Sequence, residues 1–194
     1  MNMKTRLHSF NIYLLAAVAL LGGGCASHHL SANKQYATLR VYLEGRAGES
    51  SRVQVTRNKI LMYVAAEPFV TEADVRQAKL VDYPDGSFSI LVTFDDHGTL
   101  MLDMNTSSHS GQHLLIFCHF PPKGWKEPKE GDSATVEKPV PGQPRISGWL
   151  AAPLIRYALP NGSLEFTPDA SHQEAEQIVL GLNNMAAALS KMRH

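Results

Sequence analysis

Four residues near the middle of the chain have the most metal-like spacing: His109, His113, Cys118 and His119. Zinc takes three or four His or Cys ligands that converge on a tetrahedron. The run between His113 and His119 is apolar, Leu114 to Phe117. On an extended strand, alternation sends His113 and His119 to one face and Cys118 to the other. The spacing therefore favours strand-end histidines and a buried thiol acting as a small hydrophobe, with no metal site. Asp95, Asp96 and Asp103 could pair for acid–base work or hold a hard cation. Asp95 and Asp96 stand directly before a helical pattern, where short carboxylates accept the unpaired N–H groups of a helix start, and Asp103 falls on a solvated helix face. Ser107, Ser108 and Ser110 adjoin His109, as a nucleophile beside its base would. No Gly-x-Ser-x-Gly elbow accompanies them, and the chain has no phosphate-binding glycine loop and no dinucleotide fingerprint. The expectation is no catalytic residue, no metal and no cofactor.

The elements that would position these residues are readable from periodicity. Phe88, Ile90, Val92 and Phe94 alternate with Ser89, Leu91 and Thr93 as in a strand. A helix capped at Asp95-Asp96 follows, with Leu100, Met101 and Met104 at helical spacing, and Ser107 to Gly111 ends it. Leu114 to Phe120 is apolar on both faces, as in a buried central strand. Upstream, Leu39, Val41 and Leu43 alternate, Val53 and Val55 start a second strand, and Ile60 to Ala66 forms a third after a reversal at Asn58-Lys59. These three read as an antiparallel meander.

Thr71 with Asp74 resembles a capping box, and Val75, Ala78 and Lys79 continue at helical spacing to a turn at Tyr83-Pro84-Asp85-Gly86, so a helix is predicted there. Ile146 to Leu154 and Ser163 to Thr167 read as further strands, separated by the turn signal Asn161-Gly162. The last helix has a capping box, Ser171 to Glu174, and one apolar stripe of Ala175, Ile178, Val179, Leu182, Met185, Ala186 and Leu189. The predicted class is α+β, a mixed or antiparallel sheet with two to three helices packed mainly on one face.

Composition narrows the function classes. Lys+Arg and Asp+Glu both number 18 in 194 residues, so no charge excess points to nucleic acid. The first 24 residues differ in kind. Lys4 and Arg6 precede an apolar stretch from Ile12 to Leu21 and the small residues Gly22-Gly23-Gly24, the layout of a signal peptide. The stretch is short for a bilayer span, which needs about 20 residues. Leu20-Leu21-Gly22-Gly23-Gly24-Cys25 resembles a bacterial lipobox, with Gly22 where an apolar residue is usual. The resemblance implies a lipidated Cys25 as the first residue of a mature lipoprotein, and Ala26 after it favours the outer membrane. Removing residues 1–24 takes away Lys4 and Arg6 and no acids, leaving a net charge of −2.

The expected organisation is a signal peptide over 1–24, a lipidated Cys25 with a polar tether to 37, and one domain over 38–192. A proline-rich loop over 121–144 interrupts that domain, with Trp125 and Trp149 at its flanks. Trp125, beside that loop, is the candidate partner contact. Trp149 is expected to pack on the sheet.

Several local signatures then line up. They are Glu67-Pro68-Phe69-Val70-Thr71-Glu72-Ala73-Asp74-Val75, then Val92-Thr93-Phe94-Asp95 with Gly98 and Thr106, then Leu114-Leu115-Ile116 and Ala152-Pro153-Leu154-Ile155. Leu164-Glu165-Phe166-Thr167, Glu174-Ala175-Glu176-Gln177-Ile178 and Leu182-Asn183 complete the set. In this order and spacing they resemble the head subdomain of the first periplasmic domain of SecD, a subunit of the bacterial preprotein translocase. The resemblance covers roughly residues 53–185. It implies a fold and a habit of touching polypeptides or envelope partners. It implies no motor: SecD is polytopic and uses the proton gradient, and no apolar run here after Cys25 is long enough to carry a transmembrane proton path. The proline-rich insert is longer than the SecD pattern, and no functional residue carries over.

These readings combine into one expectation. The chain is a non-catalytic cell-envelope lipoprotein, periplasm-facing, held at the membrane through a lipid on Cys25, that binds an envelope protein or exported polypeptide. The alternative is a small envelope hydrolase or metal-dependent enzyme using the His109–His119 region.

Overall fold

A computed structural model describes residues 34–48, 50–55, 60–123 and 147–193. The expected signal peptide over 1–24, Cys25, most of the expected tether, Asn58-Lys59, Trp125 and nearly all of the proline-rich segment lie outside the described residues.

In chain order the elements begin with β1 (Thr38–Leu43), β2 (Ser51–Val55), β3 (Ile60–Val64) and β4 (Val70–Thr71). A 3-10 turn, Glu72–Asp74, leads into β5 (Val75–Asp82) and β6 (Phe88–Phe94). Then come α1 (Asp96–Ser108), β7 (Leu114–His119), β8 (Ser147–Ala151), β9 (Ser163–Phe166) and α2 (His172–Met192). The strands form a four-stranded sheet ordered β4-β1-β7-β8, a three-stranded sheet ordered β5-β6-β9, and the β2-β3 hairpin. All pairings are antiparallel. The class is α+β, as the sequence predicted.

The predicted meander is half correct. β2 and β3 pair over Ser51–Val64 to Val55–Ile60, but β1 pairs with β7 and β4 and meets β3 only at a Glu44–Val64 bridge. β7 takes the central place its sequence requires. Leu114, Ile116 and Cys118 enter the main core, while Leu115 is buried on the other face with Val55 and Val64 of the hairpin. Trp149 packs on that second face, its ring 5.5 Å from Tyr42 and 5.3 Å from Phe117.

The predicted helix from Thr71 is a correction. Thr71 and Asp74 do form a reciprocal capping box, but it caps only the 3-10 turn, and Val75 onward is strand. The register explains the misreading. A bulge between Val75 and Gln77 adds a residue to β5, so Val75 and Ala78, three apart, both face the core. Three-residue spacing of that kind imitates a helix.

α1 lies where predicted, but its buried residues are Gly98, Leu102 and Thr106. Leu100 and Met104, expected on its apolar side, are each 56% exposed. Gly98 decides the orientation: a Cβ there would stand 2.8 Å from the Cβ atoms of both Asp74 and Phe94. Only glycine lets the helix start approach that closely. α2 buries Ala175, Ile178, Gly181, Leu182 and Met185. Gly181 sits against Ala37, with the built Cβ 2.7 Å from Ala37 Cβ, and Asn184 Nδ2 donates to the Gln35 carbonyl at 2.9 Å. The chain leading to β1 is thereby seated on α2.

Candidate functional site

The histidines and aspartates with chemical potential are committed to joining elements. Asp95 is the N-cap of α1, Oδ1 accepting the Gly98 N–H at 3.0 Å. Its Oδ2 accepts from Arg193 Nη1 at 3.1 Å, and Arg193 also donates to the Ala73 carbonyl. Burial raises the Asp95 pKa, but the Gly98 N–H and the Arg193 guanidinium outweigh it and hold the carboxyl below its ordinary value. The buried Asp74 accepts the Thr71 N–H at 2.8 Å on Oδ2, with His97 Nδ1 2.7 Å from Oδ1. Asp96 pairs at 3.2 Å with Arg76 on an exposed surface, and Asp103 accepts from Ser107.

Asp74, Asp95 and His97 have ligand atoms within 4.8 Å of one another, the one such trio among the described residues. Sequence reading found Asp95 there and missed the other two. Chemically the trio could hold a cation, yet its carboxylate oxygens already face Thr71, Gly98, His97 and Arg193. The observed role is a lock that ties the 3-10 turn, α1 and the end of α2.

The His109–His119 set is dispersed. His109 Nδ1 lies 2.9 Å from the Asn105 carbonyl, behind the end of α1. His113 Nδ1 lies 2.8 Å from Glu44 Oε2, which also accepts the His113 N–H. His119 ends β7 opposite Thr38 and Ser147, and Cys118 is fully buried in the core. These ligand atoms are not gathered into one site, and among the described residues Ser107 donates to Asp103 while no hydrogen bond joins His109 to Ser107, Ser108 or Ser110.

Among the described residues, a concave surface lies elsewhere, along the edge of β9. β5 and β9 are the two edges of the three-stranded sheet among the described residues. The Phe94 N–H donates to the Gly162 carbonyl at 2.9 Å, so Phe94–Gly162, Val92–Leu164 and Ile90–Phe166 are the hydrogen-bonded pairs. Ser163 and Glu165 are then the non-bonded positions, and their N–H and C=O groups turn away from β6. The Ser163 N–H is taken by Asn161 Oδ1 at 3.2 Å. Glu165 is exposed and turns its backbone to the open edge.

Two adjoining grooves follow this edge, sharing Pro153, Tyr157 and Glu165 as lining. The larger encloses about 830 Å³, between β9 and the end of β8, with Ile60, Leu150 and Phe166 as apolar walls. The Asp169 N–H donates to the Leu150 carbonyl, both residues lining this groove. Tyr157 stands at the rim, 71% exposed. Glu165 Oε1 accepts hydrogen bonds from Ser89 Oγ and Tyr83 Oη, and these two donors hold its carboxyl below the ordinary glutamate value despite slight burial. Sequence reading named none of Tyr157, Tyr83, Ser89 or Glu165 as functional, because edge position depends on strand order, which periodicity does not carry.

No protein-family model matches the sequence, and no curated protein matches it. Among solved structures, the chain is similar to SecDF, described as a membrane component that enhances protein export. That likeness has a TM-score of 0.49 and 17% identity, covering 84% of this chain and 70% of that one. A SecDF structure in a super-membrane-facing form aligns with a TM-score of 0.49 and 19% identity over 81% of this chain. SecDF from Thermus thermophilus, a translocon-associated membrane protein, aligns with a TM-score of 0.43 and 19% identity over 78% of this chain. This chain spans about 20% of the length of each of the last two. Among the described residues, no helix is long and apolar enough to cross a membrane.

Proposed function

We propose that this protein is a non-catalytic, periplasm-facing lipoprotein of the bacterial envelope that binds a polypeptide partner, in work linked to protein export. The observation that carries the reading is the trough along the outer edge of β9, with apolar walls and an exposed Tyr157 at its rim. Exposed aromatic and apolar surface beside an unpaired backbone edge is the surface chemistry polypeptides recognise. The ordered SecD-like signatures in the sequence agree with a partner of this class. Trp125, within the proline-rich segment, supplies a second contact in this reading.

Membrane attachment is through an acyl chain on Cys25. The ten residue-to-residue steps from Cys25 to Gln35 reach at most roughly 35 Å when extended. The tether joins the domain at Gln35–Ala37, against Gly181 and Asn184 of α2. The trough therefore works within a few tens of ångströms of the bilayer.

The test is site-specific photo-crosslinking in cells expressing the full chain, with the probe at Tyr157, at Trp125 or, as a control, at the exposed Leu180 of α2. The reading expects defined polypeptide adducts from Tyr157 and none from Leu180. Adducts absent from Tyr157, or equal at Leu180, overturn it. Acyl labelling that persists in a Cys25→Ala variant overturns the anchor.

A further inference from the structure

We propose that the trough takes its partner as an added β-strand on the edge of β9, an extended polypeptide segment carrying a basic side chain. The proposal rests on the polypeptide-binding reading above and specifies its mode and chemistry.

Three observations carry it. The first is the contrast between the two edges of one sheet. On β5, the outward N–H and C=O of Ala78 are both satisfied by the Asn183 side chain, at 2.8 and 2.9 Å. On β9, the Ser163 N–H is satisfied by Asn161, but Glu165 presents its N–H and C=O outward beside a groove. An open edge is a template for another chain, and proteins that do not use one usually blunt it. On β5 the amide closes the edge at Ala78, although Leu80 turns outward by the same alternation, while on β9 the turn residue stops short of Glu165, which faces a groove.

The second observation is groove shape. The lining follows β9 from Ser163 to Thr167 on one side and the Pro153–Tyr157 segment on the other. That is the form of a slot for an extended segment, in which alternate side chains would enter between Ile60, Leu150 and Phe166.

The third is charge. Among the described residues the larger groove is lined by the Glu165 carboxylate and by no lysine or arginine, and Arg156 lines the adjoining groove. Glu165 is held in place from the sheet side by Tyr83 and Ser89. A carboxylate fixed by neutral donors keeps its charge uncompensated by any cation in that lining, so a lysine or arginine on the incoming strand supplies the complement. Backbone pairing gives binding with little demand on sequence, and the Glu165 carboxylate selects for a basic residue.

The experiment measures fluorescence anisotropy of the full chain with a fluorescein-labelled peptide alternating valine and lysine. Glu165→Pro deletes the outward N–H that Asn161 does not take, together with the carboxylate, and leaves the ladder to β6 intact, because that N–H does not face β6. Glu165→Gln keeps the N–H and removes the charge. Two further peptides are N-methylated at alternate residues, in opposite registers.

The proposal expects Glu165→Pro to bind roughly tenfold or more weakly than Glu165→Gln, which also lacks the charge, the loss of one backbone hydrogen bond and its alignment. It expects Glu165→Gln to flatten the salt dependence, and only one N-methyl register to bind. Equal binding by both registers overturns it without reference to any variant's folding, as does parent-like binding by a folded Glu165→Pro. A salt-stable dimer that Glu165→Pro dissociates also overturns it, assigning the edge to a second copy of this chain. If peptide binding fails while Tyr157 still yields its crosslink in cells, the strand-addition proposal falls and the polypeptide-binding reading stands.

Discussion

Asn183 Oδ1 accepts the Ala78 N–H at 2.8 Å and its Nδ2 donates to the Ala78 carbonyl at 2.9 Å. One side chain on α2 thus completes the edge of β5 as a neighbouring strand would. Ala78 is buried, so both of its backbone groups lose their only partner if the amide is removed. Asn183→Leu is expected to destabilise the domain by roughly 2–4 kcal/mol, from two buried groups left unsatisfied. Urea denaturation checks this, with the midpoint falling and the slope unchanged.

Gly98 brings the start of α1 against the 3-10 turn. Ala would be the better helix former in isolation. Here its Cβ would meet Asp74 and Phe94 at 2.8 Å, and both are packed. Gly98→Ala should therefore destabilise by about 1–3 kcal/mol, opposite in sign to its propensity. Thermal unfolding decides between the two signs.

Thr106 is a buried hydroxyl with two jobs. It donates to the Leu102 carbonyl at 2.7 Å within α1 and accepts the Leu159 N–H at 2.9 Å, fixing the segment that walls the trough. Thr106→Val keeps the shape and leaves the Leu159 N–H unpaired, an expected loss of about 1–3 kcal/mol. Hydrogen exchange at Leu159 should speed up more than in the core of α2.

These cases show what the sequence discloses and what it does not. The capping boxes at Thr71 and Ser171 and the cap at Asp95 were readable because capping is local. The stripe of α2 and the double-sided burial of β7 were readable because periodicity reports burial. β5 was misread because its bulge shifts alternation into three-residue spacing. The buried side of α1 was misread because Gly98 and Thr106, small residues, face the core while Leu100 and Met104 face solvent. The β9 edge was invisible because strand order is a tertiary fact. His109, His113 and His119 looked like a cluster only along the chain.

Asp95 gives a pH dependence. Its carboxyl is held below the ordinary value, so the folded state favours the ionised form. The stability it contributes is fully present above the unfolded carboxylate range, near pH 4, and is lost as pH falls through the lower folded value. Asp95→Asn retains a competent cap and loses the Arg193 ion pair. At pH 7 the variant should be less stable by about 1 kcal/mol or less, and the gap should close as pH falls below the carboxylate range. Denaturation at pH 7 and near pH 3 checks both halves.

The central claim is that the outward backbone of Glu165 is where a polypeptide is received. The most direct measurement is amide hydrogen exchange at Glu165, resolved by NMR, in the full chain with and without the valine–lysine peptide. The account predicts fast exchange in the free protein and strong protection on binding, with Leu164 and Phe166, already bonded to β6, little changed. A bound peptide that leaves Glu165 exchange unaltered would contradict it.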